Sequence, residues 1–396
     1  MLDSYSRRNL FRLAGAAAAA MLGNRSAGAQ QPAKTPQPKR PPVVGHPDPF
    51  PALSTRATVA LVHGDDRRKN IYQALMAIDD EIRPKLKKKK YVVIKPNLVT
   101  ATNQLGATHA DALRGILDYL APRFKGPVII AESSAVETMQ AFENFKYPAV
   151  AAEYKSKKVS LVDLNEEAKH VVLPLIDFDL HVAPVRLAAR LFDPEAFVIG
   201  SSVLKTHNAT VVTLSVKNMV LGAPLHRAPK ETTRWNDKRR YHVGLRQMLY
   251  NMFLTAGKMQ PNWGAAVIDG FEGMEGRGPT DGTAVPSRIA IASADFIAAD
   301  RVGAEVMGVD ANWLGWLNYC GKVGVGQWDL SKIDVQGAQI AAVQKKYQMH
   351  PDIERQLKWM GPMQELPPML GWTQPIDHEY LAHDLMKAVT CLSGRG

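Results

Sequence analysis

Tyr91-Val92-Val93-Ile94-Lys95-Pro96-Asn97 is an aromatic and three β-branched residues running into a lysine, a proline and an asparagine. The apolar run is too short for a helix, and Pro96 cannot continue a central strand, so a strand ending in a polar turn is expected. The same figure recurs on either side. Thr58–Val62 reads as a strand ahead of a helix over 70–83, Ala110–Leu120 as a helix and Val128–Ala131 as a strand. Val136–Phe145 then reads as a helix and Val159–Leu164 as a strand. Strands alternating with helical stretches are the pattern of parallel βα units, so the fold class is α/β, a mostly parallel sheet flanked by helices. A hairpin-like segment, His170–Leu175, interrupts the alternation as a strand insertion, and Ala196–Val203 resumes it. Beyond lie a long amphipathic helix over 241–258, buried strands at Ala265–Ile268 and Arg288–Ile291, and a helix over 294–307.

The chain has 396 residues, 46% of them hydrophobic and 22% charged, with a net charge of +11. This balance excludes bulk disorder, and the length allows a large core. Ser6-Arg7-Arg8-Asn9-Leu10-Phe11-Arg12 precedes an apolar run from Leu13 to Leu22 and the small residues Ser26–Ala29. That is the layout of a twin-arginine signal, with an apolar stretch too short to span a bilayer, so no stable membrane span is expected. The expected location is periplasmic or otherwise exported, with the twin-arginine translocase as partner during export. Eight prolines over 31–51 mark an extended tether. The organisation expected is signal peptide 1–30, tether 31–57, α/β domain 58–337 and C-terminal extension 338–396. Lys87–Lys90 reads as a solvated face, and nucleic acid is not expected as a partner. The two cysteines, Cys320 and Cys391, cannot supply an iron-sulfur cluster or a four-thiolate zinc site, and are expected to pack as small hydrophobes.

In an open α/β sheet, ligands bind beyond the carboxyl ends of the strands. The residues there are polar: His63-Gly64-Asp65-Asp66, Lys95-Pro96-Asn97, Glu132-Ser133-Ser134, Asp163, Lys205-Thr206-His207-Asn208 and Asp269-Gly270. Asn208 could cap a helix that stops at Gly222 and Pro224, although Val211 and Val212 also permit a strand. Such a helix would carry Thr210, Thr213 and Lys217 on one polar face beside Lys205 and His207, a cationic, hydroxyl-bearing surface suited to an anion. At a sheet edge a lysine head group makes few packing contacts, so Lys205 and Lys217 would be dispensable for folding. Asp269–Pro279 reads as a glycine-rich loop whose carboxylates, Asp269 and Glu275, could hold a hard divalent cation. No His-Glu-x-x-His, Walker or Gly-x-Ser-x-Gly motif occurs.

These residues together resemble the domain of unknown function 362 family. The resemblance rests on Val92–Leu98, on Lys205-Thr206-His207 with Leu214–Asn218 and Gly222, and on Asp269-Gly270 with Met274–Pro279 and Gly282. It continues through Ala292–Asp295, Ala299-Asp300, Met307-Gly308 and Gly324–Gly326, and so spans roughly residues 58 to 337. The recurring polar positions implied by the resemblance are Lys95, Asn97, Lys205, His207, Lys217, Asn218, Asp269, Glu275 and Asp295. Many members carry a cysteine-rich, ferredoxin-like segment that this chain lacks, so no iron-sulfur chemistry is carried over.

The expectation is an exported α/β protein that binds a small anionic molecule and works on it as an enzyme of undetermined reaction class. Lys205, Lys217 and His207 would be its catalytic groups, with His207 as general acid or base. Lys95, Asn97, Thr210, Thr213 and Asn218 would bind the ligand, and Asp269 with Glu275 a metal. The rivals are a solute-binding or cofactor-carrying protein without catalysis, and an envelope interaction protein.

Overall fold

The computed structural model describes residues 53–154, 158–228, 230–242 and 244–360. The expected signal peptide, nearly all of the tether, Cys391 and most of the C-terminal extension lie outside them.

Twelve strands form among the described residues. They are β1 (Ala57–His63), β2 (Tyr91–Lys95), β3 (Val128–Glu132), β4 (Val159–Asp163), β5 (His170–Ile176) and β6 (Val182–Ala188). Then follow β7 (Ala196–Thr206), β8 (Val212–Thr213), β9 (Trp263–Glu275), β10 (Thr283–Val285), β11 (Ile289–Ser293) and β12 (Ile333–Gly337). Ten of them make one mixed sheet in the order β12-β1-β11-β9-β7-β2-β3-β4, with β10 beside β9 and β8 beside β7. The run from β9 to β4 is parallel, and β11 is antiparallel to both its neighbours. The inserted strands β5 and β6 pair only with each other, as an antiparallel hairpin. A mostly parallel α/β sheet with strand insertions is therefore what forms.

Helices cover both faces, as buried parallel strands require. Those used below are α1 (Arg67–Ala77), α2 (Asp79–Leu86), α3 (Ala110–Leu120), α4 (Thr138–Asn144), α5 (Tyr147–Glu153), α6 (Ser215–Gly222), α7 (Asp237–Tyr241), α8 (Leu245–Met259), α9 (Phe296–Val306) and α10 (Gly315–Lys322). One apolar cluster joins α1 to α5 to one face through Ile71, Ile116, Phe142 and Phe197. The other joins α6 and α8 to α10 to the opposite face through Met219, Met252, Ile268 and Trp316. The described part of the extension belongs to this second core: Tyr347 is buried there, and its hydroxyl lies 2.8 Å from Ser287 Oγ.

Four expectations need correction. The helix over 70–83 is two helices: α1 begins at Arg67, capped by Asp66, and breaks at Ile78, where Asp79-Asp80-Glu81 opens α2 with favourable negative charge. The long helix starts at Leu245 rather than 241, behind the separate α7. Asn208 caps no helix: the β-branched residues 211–213 fold back on β7, pairing Thr213 with Lys205 and Val212 with Thr206. The helix starts only at Ser215, and its first amides are held by a distant carboxylate, Asp300, which accepts from Ser215 N at 2.7 Å and Val216 N at 2.9 Å. Lastly, Asp269–Glu275 is no loop but the second half of β9, kept in the sheet by pairing with β10 and β11.

Candidate functional site

The site follows from one unequal strand length. β2 ends at Lys95, opposite Gly200, whereas β7 continues to Thr206. Past that point the carbonyl of Ser201 accepts from Thr108 Oγ1 at 2.8 Å and Asn218 Nδ2 at 3.3 Å. Alternation along a strand puts Ser201, Val203 and Lys205 on the same face. Cross-strand pairing sets Thr213 directly beside Lys205.

Four lysines are buried at this edge. Lys95 and Lys205 are 0% exposed, and Lys217 and Lys238 are 6% exposed. Lys95 uses its full donor set, giving hydrogen bonds to Pro96 O at 3.1 Å, Glu132 Oε2 at 2.8 Å and Asn218 Oδ1 at 3.2 Å. Lys205 donates to the carbonyls of Gly106 at 2.7 Å and Pro279 at 3.2 Å. Lys238, from α7, donates to Ser133 Oγ at 3.2 Å and Gly222 O at 3.1 Å. Lys217, one turn into α6, has neither a hydrogen bond nor an ion pair among the described residues.

Negative charge does not balance this group. Glu132 is taken by Lys95. Other buried carboxylates are also engaged: Asp163 by Asn165, Asp237 by Arg186, Asp269 by Arg67, and Asp300 by the start of α6. The ammonium groups therefore sit in a dry, positive region, which disfavours their charged form. Burial, reinforced by Lys95 and opposed by Glu132, lowers Lys217 to about 8, and burial lowers Lys238 to about 7. Lys205 is pushed well below the usual lysine range by burial and then by Lys217.

His207 is 5% exposed, and its Nδ1 accepts from Ala209 N at 3.0 Å. That bond fixes the neutral tautomer with its proton on Nε2. Burial, then Lys217 and Lys205, hold it well below the ordinary histidine range. It is built to donate a hydrogen bond as a neutral ring rather than to gain a proton.

Of the residues singled out in the sequence, Lys95, Lys205, Lys217 and Asn218 are drawn into one network or field, with Asn97 and Thr213 alongside. Asn97 Oδ1, Ser201 Oγ and Thr213 Oγ1 are buried without a hydrogen-bond partner among the described residues. Thr210 is buried too, but its hydroxyl closes its own turn on Val212 O at 3.1 Å. The polar helical stripe through Thr210, Thr213 and Lys217 does not exist, because the first two lie outside the helix. The premise that a sheet-edge lysine makes few contacts does not hold for Lys205, whose enclosed head group hydrogen-bonds the carbonyls of two loops.

Asp269 and Glu275 are committed separately. Asp269 meets Arg67 Nε at 3.2 Å and accepts from Phe271 N at 3.0 Å, while Glu275 accepts from Gln348 N at 2.8 Å. Neither belongs to the cluster of metal-type side chains found among the described residues, which is Asp177, Asp179 and His181 at the tip of the β5–β6 hairpin. Sequence reasoning gave Lys238 no reading, and took Gly222 as a helix stop and as one residue of the family resemblance. A Cβ on Gly222 would fall on the Nζ and Cε of Lys95 and lie 3.2 Å from Glu132 Oε1, so this glycine makes room for the ion pair.

A cleft of about 680 Å³ opens at the amino edge of the sheet, lined by Arg56, Lys85, Lys88, Trp263 and Phe296 among others. It lies at the other end of the strands from the lysine cluster.

A family model described as "Domain of unknown function (DUF362)" matches residues 92–305, a span that includes every residue of the cluster. No curated protein matches. Among solved structures, the chain is similar to the crystal structure of a Thermotoga maritima protein from a structural genomics consortium, at 11% identity and a TM-score of 0.38. The alignment covers 59% of this chain and 57% of that one, so less than two thirds of that protein's length is spanned.

Proposed function

The chain belongs to the domain of unknown function 362 family, so its chemistry has to be argued from its own side chains, and we propose that it is an exported enzyme acting on a small, multiply charged anion bound at the carboxyl edge of the sheet. The observation that carries this reading is Lys217, which is 6% exposed, has no hydrogen-bond or ion-pair partner among the described residues, and is coupled electrostatically to Lys95, Lys205 and Lys238. Burying a charge unpaired is costly, and an anion in contact with Lys217 would offset that cost. Lys217 would contact the negative group directly, with a remaining N–H each from Lys205 and Lys238. Lys95, fixed by Glu132 and Asn218, would act through its field. His207 would donate from Nε2, and the hydroxyls of Ser201 and Thr213 would complete the lining. A divalent ion has no role in this scheme, since Asp269 and Glu275 are engaged elsewhere.

The test is thermal melting of metal-stripped protein with phosphate, citrate and pyruvate. A ligand that binds the folded state at a hundred times its Kd adds about 2.7 kcal/mol of stability. The wild type should gain with at least one of these anions, and Lys217→Met should not. If none of the anions stabilises the wild type, or if the variant gains equally, the reading fails. The neutral state of His207 favours a second reading, a binder without proton transfer. His207→Gln keeps a donor: unaltered binding with lost turnover supports the enzyme, and retention of ligand with no turnover in the wild type supports the binder. Export rests on the Arg7-Arg8 pair, and Arg7→Lys with Arg8→Lys should leave precursor in the cytoplasm.

A further inference from the structure

We propose that Lys217 is an amine nucleophile that forms a Schiff base with the carbonyl group of an anionic 2-oxo compound, whose charge the neighbouring lysines hold. This rests on the anion reading above and assigns its substrate class.

The four lysines are not equivalent. Lys95, Lys205 and Lys238 are each tied to fixed acceptors: a carboxylate and an amide, two loop carbonyls, and a hydroxyl with a helix-end carbonyl. A head group tied in this way is held by its acceptors and is not free to turn toward a carbonyl carbon. A lysine that served only as a fourth such charge would gain from being tied as well, because hydrogen bonds to protein acceptors offset the cost of taking an ammonium out of water. Among the described residues Lys217 is left untied, and it is coupled electrostatically to Lys95, Lys205 and Lys238. Neighbouring positive charge and desolvation are the conditions that turn a lysine into a nucleophile. With its pKa at about 8, roughly a tenth of the side chain is free amine at neutral pH. The 6% exposure of Lys217 leaves it reachable, and burial of its surroundings limits the water that would hydrolyse an imine.

The step balances without a further reactant. The lone pair of the neutral Nζ attacks the carbonyl carbon, forming a C–N bond while the carbonyl π pair moves to oxygen. The two amine protons pass to that oxygen, the C–O bond breaks, and water leaves, so that C=N replaces C=O. Protonation of the imine nitrogen then gives an electron-withdrawing iminium next to a carboxylate held by Lys205 and Lys238.

The experiment is reductive trapping. The full-length mature protein is incubated with pyruvate or glyoxylate, reduced with borohydride and analysed by intact mass and peptide mapping. The expected result is one adduct per chain, on Lys217, at least tenfold above labelling at any other lysine. Lys217→Arg keeps the charge without a neutral amine, so it should lose the adduct at least tenfold while phosphate still raises its melting temperature. Labelling spread over exposed lysines such as Lys87, Lys88 and Lys90, labelling unchanged in Lys217→Arg, or no adduct with either acid overturns the proposal. If phosphate still stabilises the wild type in that case, only the Schiff base is lost. If phosphate and both acids all fail to stabilise it, the anion site falls with it.

Discussion

Replacing Lys217 by methionine should make the ligand-free protein more stable, the reverse of the usual result for a buried side chain. Burial lowers Lys217 from 10.5 to about 8. At 1.36 kcal/mol per pKa unit, the native state at pH 7 therefore carries a penalty of roughly 3 kcal/mol that a neutral side chain of similar length does not. The sign follows from proton binding. Between pH 8 and 10.5 the unfolded chain keeps a proton on this lysine that the folded chain has released, so stability of the wild type rises with pH across that window. By pH 10 the penalty is down to about 1 kcal/mol. Urea unfolding of ligand-free wild type and Lys217→Met at pH 7 and pH 10 should show the variant ahead by up to about 3 kcal/mol at the first pH and by about 1 at the second. Saturating anion should reverse the order, since only the wild type binds it. Lys95→Met is the control, because it strands Glu132 and should cost about 3–5 kcal/mol. A variant that is destabilised at both pH values, or a gain that does not change with pH, refutes the argument that burial penalises the charge on Lys217.

Other outcomes follow from the same surroundings. Burial raises Asp300 to about 7 against 3.8 unfolded, so the native state holds the extra proton between those values and stability falls as pH rises through them. Relative to Asp300→Asn, the wild type should lose about 4 kcal/mol between pH 4 and pH 8, measured by urea titration, and a constant difference would contradict it. Gly222→Ala should cost about 1–3 kcal/mol by overpacking and should abolish the melting gain with phosphate, because the new methyl displaces Lys95. His207 stays neutral when folded, so the unfolded chain takes up protons below pH 6.5 and the wild type should lose stability relative to His207→Gln as pH falls from there. Parallel acid limbs in chemical denaturation would remove that assignment.

The alternation of strands and helices was legible because each βα unit is set locally by a β-branched run and a 3.6-residue period. Ala110–Leu120 forms over the expected residues, and β1 to β4 depart by a residue or two. What failed was fixed by partners far along the chain. Leu204-Lys205-Thr206 joins β7 because β8 and β9 pair with it, and residues 269–275 stay extended because β10 and β11 lie alongside. Local composition, glycine-rich in one case and polar from Lys205 onward in the other, pointed to loops. The site was legible as a set of sheet-edge residues and illegible as a buried one. Nothing in Asp237-Lys238-Arg239-Arg240 says that Lys238 alone turns inward to Ser133 and Gly222.

Burial also changes what each lysine can be asked to do. An ammonium has three N–H donors. Among the described residues Lys95 spends all three on protein acceptors, Lys205 and Lys238 two each, and Lys217 none. The unspent donors therefore belong to the three lysines that lie beyond the end of β2, on the overhanging part of β7, on α6 and on α7. Lys95, at the end of β2 itself, has nothing left to give a ligand and acts as the strut that holds Glu132 and Asn218. A carboxylate or phosphate offers several oxygens to donors arriving from different directions, which suits this arrangement better than one long apolar molecule would. The uncommitted hydroxyls of Ser201 and Thr213 fall on the same strand pair as Lys205. The overhang of β7 thus carries Ser201 and Lys205 past the end of β2, and β8 folds back beside it to bring Thr213 against Lys205.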